Sequence, residues 1–181
     1  MMALTARQVE IIRSTAPILK QQGNAVATSF YADIFDKAPV MNNVFNRAAQ
    51  DNGHQAQAVA AALHAYAAHI DDLGTLDPSF EKICSIHASM YVQPEQYVIV
   101  GNFLLQAMAR VLGSASTQEM LDAWTIAYRQ LADIFIANET RFYQKTSAND
   151  WKSWRDMVIV RKDVESDVIT SFYLRPVDGW L

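Results

Sequence analysis

Apolar residues recur at helical spacing from Thr5 to Tyr143, and then the pattern changes. This constrains the fold more than any single motif, because a helix repeats every 3.6 residues and a strand every two. Thr5 and Gln8 have capping-box spacing, which predicts a first helix ending near Gly23. Val26, Phe30 and Ile34 predict a second helix. Pro39 restricts Ala38 and turns the chain into a short third helix ending near Phe45. Residues 46–52 are polar and read as a loop, and 54–71 are alanine-rich and helical. Asp77-Pro78 reads as an N-cap before a first-turn proline, so a helix is expected from about Pro78 to His87. Tyr97, Gly101, Leu104, Leu105, Met108, Val111 and Leu112 mark one face of the next helix, which Gly113 ends. Ser116 and Glu119 are expected to box the start of the last helix, which runs to about Tyr143.

Beyond Tyr143 the segment Lys145-Thr146-Ser147-Ala148-Asn149-Asp150 is polar and linker-like. Met157–Val160 and Val168–Leu174 read as strands. Two strands alone are marginal and have open edges, so they read as the start of a β-rich domain. The chain has 181 residues, 51% of them apolar, enough for one sizeable core. A net charge of -4 argues against nucleic acid as the main partner. A single cysteine, Cys84, excludes an internal disulfide and fits a reducing, cytoplasmic setting. No apolar run looks long enough to span a bilayer, and the N-terminus lacks a signal-peptide pattern.

The chemistry concentrates around His87. It closes one apolar segment, Pro94-Glu95 opens the next helix, and Tyr97 lies in that helix's first turn. Glu139 falls on the apolar stripe marked by Tyr128, Leu131, Phe135 and Phe142. A buried carboxylate is costly unless a donor meets it. A Tyr and a Glu within reach of one His would orient it as a metal ligand, such as an axial ligand of haem iron. Taken alone, a helix-end histidine more often serves as a cap or surface residue. Tyr31 taken alone more often reads as an ordinary core tyrosine whose hydroxyl finds a carbonyl. Gln55 alone is uninformative. His54, His64 and His69 are expected to face solvent, and the spacing of His64 and His69 does not suit one metal. Cys84 reads as a small buried apolar residue, and the methionines as core filler. Trp151 and Trp154 would pack a junction between domains.

Several groups of residues, in this order, carry a resemblance. They are Ser29-Phe30-Tyr31, Val44-Phe45-Asn46, Asn52-Gly53-His54-Gln55, His87, Pro94-Glu95-Gln96-Tyr97 with Ile99-Val100-Gly101, Asp122-Ala123-Trp124, and Ala132-Asp133-Ile134-Phe135-Ile136 leading to Glu139. Together they resemble the globin domain of flavohaemoglobins and of bacterial single-domain haemoglobins. Trp154-Arg155, Glu165-Ser166, Ile169-Thr170-Ser171-Phe172 and Pro176-Val177-Asp178-Gly179 resemble the first strands of the flavin-binding barrel that follows in flavohaemoglobins.

The resemblance implies an all-α globin fold with a short C-terminal β stub. Residues 1–145 would be the haem domain, 146–155 a linker and 156–181 a fragment of the FAD-binding domain. His87 would be the proximal ligand of a b-type haem, with Tyr97 and Glu139 as its partners. Tyr31 and Gln55 would face bound oxygen, Phe45 would pack on the porphyrin, and Val59 would be their apolar neighbour. The family usually has Lys just before the proximal His, where this chain has Ile86. The family's Arg-x-Tyr-Ser flavin stretch and its glycine-rich nicotinamide segment have no counterpart in this sequence.

The implied activity is conversion of nitric oxide to nitrate with O2. In the family, FAD and NAD(P)H re-reduce the iron. Neither is expected to bind this chain, so turnover would need a separate flavin reductase as partner. Lipid contact in the haem pocket is left open by the resemblance. The alternative is a globin that binds, carries or senses O2 without catalysis, and a further alternative is a helical protein without haem.

Overall fold

The computed structural model describes residues 4–43, 45, 53–147 and 154–179. It divides into two compact units, Met1–Lys145 and Thr146–Leu181.

The described elements of the first unit are all helices or 3-10 turns. Helix α1 spans Ala6–Lys37, and Thr5 starts it with a reciprocal capping box on Gln8. The expected stop at Gly23 does not occur, and the two helices expected on either side of it are one. Gly23 is a packing notch: a Cβ there would lie 3.2 Å from the Ala60 Cβ. Glycine inside a helix costs about 0.5–1 kcal/mol relative to alanine, which this close approach offsets. Pro17 also lies within α1 and removes one ladder bond without ending it. The short third helix is instead a 3-10 turn, Pro39–Asn43. Residues 46–52, together with Val44, fall outside the described residues.

Helix α2 spans His54–Ala68, α3 Asp77–Ser89, α4 Pro94–Leu112 and α5 Gln118–Ser147. Asp77 is the first residue of α3 and not its cap, because the 3-10 turn Leu73–Leu76 already brings the chain in with a helical backbone. Gln93 boxes the start of α4 with Gln96, and Gly113 ends it at a φ of 53°. The last helix is capped one residue later than expected. Met120 N–H donates to Thr117 Oγ1 at 3.2 Å, while Ser116 Oγ is buried without a partner among the described residues.

Ile12, Leu19, Val26, Ile34, Tyr66, Met108 and Trp124 are fully buried at the centre of this unit. Two of its buried polar side chains are satisfied by bonds between helices. Tyr66 hydroxyl donates to the Ala127 carbonyl at 2.8 Å, and Trp124 Nε1 to Thr15 Oγ1 at 3.3 Å. Cys84 is buried, as expected. Burial first, then the charge of Glu139, pushes its thiol up to about 12. His54 and His69 are exposed, but His64 is not: it is half-buried, with Nδ1 3.0 Å from the Ala16 carbonyl. Since a carbonyl only accepts, His64 donates, which ties α2 to α1. The bilayer expectation also needs correcting. Pro94–Ala115 is long and apolar enough by length and composition to cross a membrane. Its Tyr97, Leu104, Ala107, Met108 and Leu112 are core residues of the helical unit.

The second unit is an antiparallel hairpin of β1 Met157–Ser166 and β2 Ile169–Pro176. Both strands run further than the apolar runs suggested. Pairing continues through Arg161, Lys162 and Asp163, with register shifts near Val160 and Glu165. Arg161 lies 3.7 Å over the Tyr173 ring, so a charged residue packs in the ladder by its aromatic partner. Val158, Ile159, Val164, Val168, Ile169, Phe172 and Leu174 are exposed, as is Trp154. Trp151 lies outside the described residues.

Candidate functional site

Three helices bring three side chains to one point. His87 comes from the last turn of α3, Tyr97 from the first turn of α4 and Glu139 from α5. His87 Nδ1 lies 2.8 Å from Glu139 Oε1 and 3.0 Å from the Tyr97 hydroxyl. The Tyr97 hydroxyl donates to the same Glu139 oxygen at 2.5 Å. Glu139 is only 2% exposed, so two donors supply what a buried carboxylate requires. An ionised carboxylate only accepts, so the network assigns the proton of the neutral imidazole to Nδ1. The Nε2 lone pair is then the atom left for a ligand. Burial, followed by the hydrogen bond to Glu139, drives the Tyr97 phenol far above its usual range, which keeps it a donor.

A further shell holds these groups still. Phe135 meets the His87 ring edge-on at 5.9 Å and the Tyr97 ring at 6.5 Å. Tyr128 hydroxyl donates to the Tyr97 carbonyl at 2.8 Å. Its ring lies against Gly101, where a Cβ would come within 2.4 Å, so only glycine leaves room for it. Tyr143 hydroxyl donates to the Val92 carbonyl at 2.6 Å, and Val92 N–H donates to the His87 carbonyl at 3.0 Å. The Tyr143 phenol is pushed up to about 12, chiefly by burial. Between them Tyr91 adopts a left-handed φ of 54° and packs on Tyr143 at 5.5 Å. The loop joining His87 to Tyr97 is therefore pinned at both its backbone and its rings. The supporting roles of Tyr128, Phe135 and Tyr143 were not drawn from the sequence. The signal was present, because with Glu139 they stand at spacings of seven and four along one face of α5.

Tyr31 and Phe45 meet in a second, aromatic cluster. Tyr31 stacks on Phe35 at 5.8 Å and meets Phe45 edge-on at 5.4 Å, and Phe35 meets Phe45 at 5.6 Å. Phe35 was missed, because a phenylalanine on an apolar stripe carries no mark of its neighbours. Gln55 and Val59 stand one turn apart on α2, both half-buried, with Val59 packed against the core. Ile86 is exposed beside His87.

Among the described residues no three His, Cys, Asp or Glu side chains are grouped to hold a metal ion. A metal at His87 would have to bring its remaining ligands with it, as a metal in a macrocycle does. A lone imidazole with Nδ1 fixed by a carboxylate and Nε2 available suits that demand.

A family model described as Globin matches residues 28–135. A flavohemoprotein of Rhizobium meliloti is 44% identical over 178 residues, covering 97% of this chain and 44% of the relative. This chain thus spans less than half the length of the curated relatives it matches. A bacterial globin from Campylobacter jejuni superposes with a TM-score of 0.73 at 31% identity, over 77% of this chain and 99% of that one. A flavohemoglobin from Malassezia yamatoensis, whose structure has bound FAD and heme, superposes with a TM-score of 0.82 at 24% identity. That match covers 98% of this chain and 46% of the other, and it bears on the fold.

Proposed function

This chain belongs to the globin family, and from that premise we propose that it binds one b-type haem through His87 and converts nitric oxide to nitrate. The observation that carries this reading is the contact of His87 Nδ1 with a carboxylate that is itself held by Tyr97. Bound haem would supply an iron on which O2 and nitric oxide react. The rest falls to the chain. His87 would hold the iron through Nε2. Glu139 accepts a hydrogen bond from Nδ1–H, which makes the imidazole a stronger electron donor than one bonded to a neutral carbonyl. Tyr97 fixes the carboxylate and excludes water from it. Tyr31 would donate a hydrogen bond to the diatomic ligand, Gln55 would support that geometry, and Phe45 and Val59 would give the pocket its apolar wall.

In this reading residues 1–145 are the haem domain, 146–155 the linker and 156–181 the opening segment of a flavin-binding domain. The two described strands do not by themselves bury an isoalloxazine ring, and re-reduction of the iron would draw on a flavin reductase. A second reading is reversible O2 binding without chemistry; the match to 99% of the Campylobacter jejuni globin supports only that the helical fold occurs without the hairpin. Absorption spectra of the reduced chain with and without CO test the haem assignment. Catalytic, repeated nitrate formation from nitric oxide and O2 when a reductase is supplied then separates the readings. Haem retention with an unaltered spectrum in His87→Ala would overturn the assignment of the ligand.

A further inference from the structure

Arg110 of α4 reaches across to α1 and holds two residues there. Its guanidinium donates to Ser29 Oγ at 3.1 Å and, in an ion pair, to Asp33. Lys37 Nζ meets the other Asp33 oxygen at 2.7 Å. Asp33 is one of the few buried charged residues, with 8% exposure. Ser29 and Asp33 are four apart, so both lie on one face of α1. Tyr31 sits midway between them in sequence. At about 100° per residue, its side chain leaves the opposite face of the helix, towards Phe35 and Phe45.

This arrangement acts on rotation. Apolar packing resists separation of two helices but is tolerant of small rolls about a helix axis, because it is non-directional. A guanidinium that engages two side chains one turn apart is directional. We propose that Arg110 is a positioning residue: by gripping Ser29 and Asp33 it fixes the roll of α1 about its own axis, and with it the place of the Tyr31 hydroxyl. The proposal rests on the reading above in which Tyr31 donates to the bound diatomic ligand. Lys37 holds the Asp33 carboxylate from the next turn of α1, which leaves Arg110 to link the two helices.

The test uses the haem-loaded full chain and compares dissociation of O2 with dissociation of CO. Tyr31→Phe is the reference, since it removes the hydroxyl. Arg110→Ala is expected to speed O2 release by about fivefold, the equivalent of one net hydrogen bond, with CO release little changed. In the Tyr31→Phe background, Arg110→Ala should leave the O2 to CO ratio where Tyr31→Phe put it. Arg110→Lys, which keeps the charge opposite Asp33 but not the two-pronged grip, should give a ratio between those of the parent and Arg110→Ala, and it keeps the test available should Arg110→Ala fold poorly. If Arg110→Ala lowers the melting temperature while the ratio stays at the parent's value, the residue is merely structural and the proposal is overturned. Additive effects of Tyr31→Phe and Arg110→Ala on the ratio would overturn it too, by showing that Arg110 does not act through Tyr31. If Tyr31→Phe itself leaves the ratio unchanged, the reading of Tyr31 fails first and the positioning role falls with it.

Discussion

Glu139 is a group whose value depends on its neighbours. Its two hydrogen bonds both come from groups that are themselves fixed, so removing it leaves a buried phenol and an unanchored imidazole. Removal of such an outer partner typically weakens metal binding by about 10- to 100-fold. Glu139→Ala is expected to accelerate haem loss on that scale, as measured by transfer to a haem-scavenging protein. At the other cluster, a hydrogen bond to a charged acceptor is worth about 1.5–3 kcal/mol. Tyr31→Phe should therefore speed O2 release by about tenfold or more in stopped-flow measurements, and CO release by less. Asp33 supplies a pH test. Hydrogen bonds from Arg110 and Lys37 hold its carboxyl below the usual range. A lowered folded value means the contribution is present above the unfolded pKa of about 3.9 and is lost as pH falls through the folded value. The stability deficit of Asp33→Asn relative to the parent, read from urea midpoints, should be largest near neutral pH and shrink below about pH 4.

Among the elements, α4 and α5 are joined most tightly at Gly101. A Cβ there would collide with the Tyr128 ring, whose hydroxyl is committed to the Tyr97 carbonyl. Overpacking of this kind costs about 1–3 kcal/mol. Gly101→Ala should lower the urea midpoint accordingly and disturb the His87 spectrum along with it, because Tyr97 moves with its backbone. The helices themselves were legible, since each is amphipathic over several turns. Gly23 was misread because a glycine that ends a helix and one that admits a neighbouring helix look identical in sequence. The difference lies in Ala60, far along the chain. His64 was misread for a similar reason, as its partner is a backbone carbonyl in another helix, which no residue type announces. His87 and Glu139 could be singled out because a charge on an apolar stripe must be answered. Arg110 and Asp33 could not, because charged residues near a helix edge ordinarily read as solvated.

At the scale of the whole molecule, the two units have different sources of order. The helical unit has a closed core, and the hairpin has two strands with many exposed apolar residues. Removal of residues 146–181 is expected to leave the thermal midpoint and any haem spectrum of the helical unit nearly unchanged, as checked by circular dichroism and absorption. A large loss of either would mean that the hairpin contributes to the helical core. His87 lies 10 residues from Tyr97 and 52 from Glu139. No local fragment can assemble that trio, so the imidazole acquires its final orientation only once α5 has docked. In time, this makes ligand capture one of the last events of folding: during refolding with haem present, the mature spectrum should lag behind helix formation, and a nascent chain lacking α5 should hold haem only loosely.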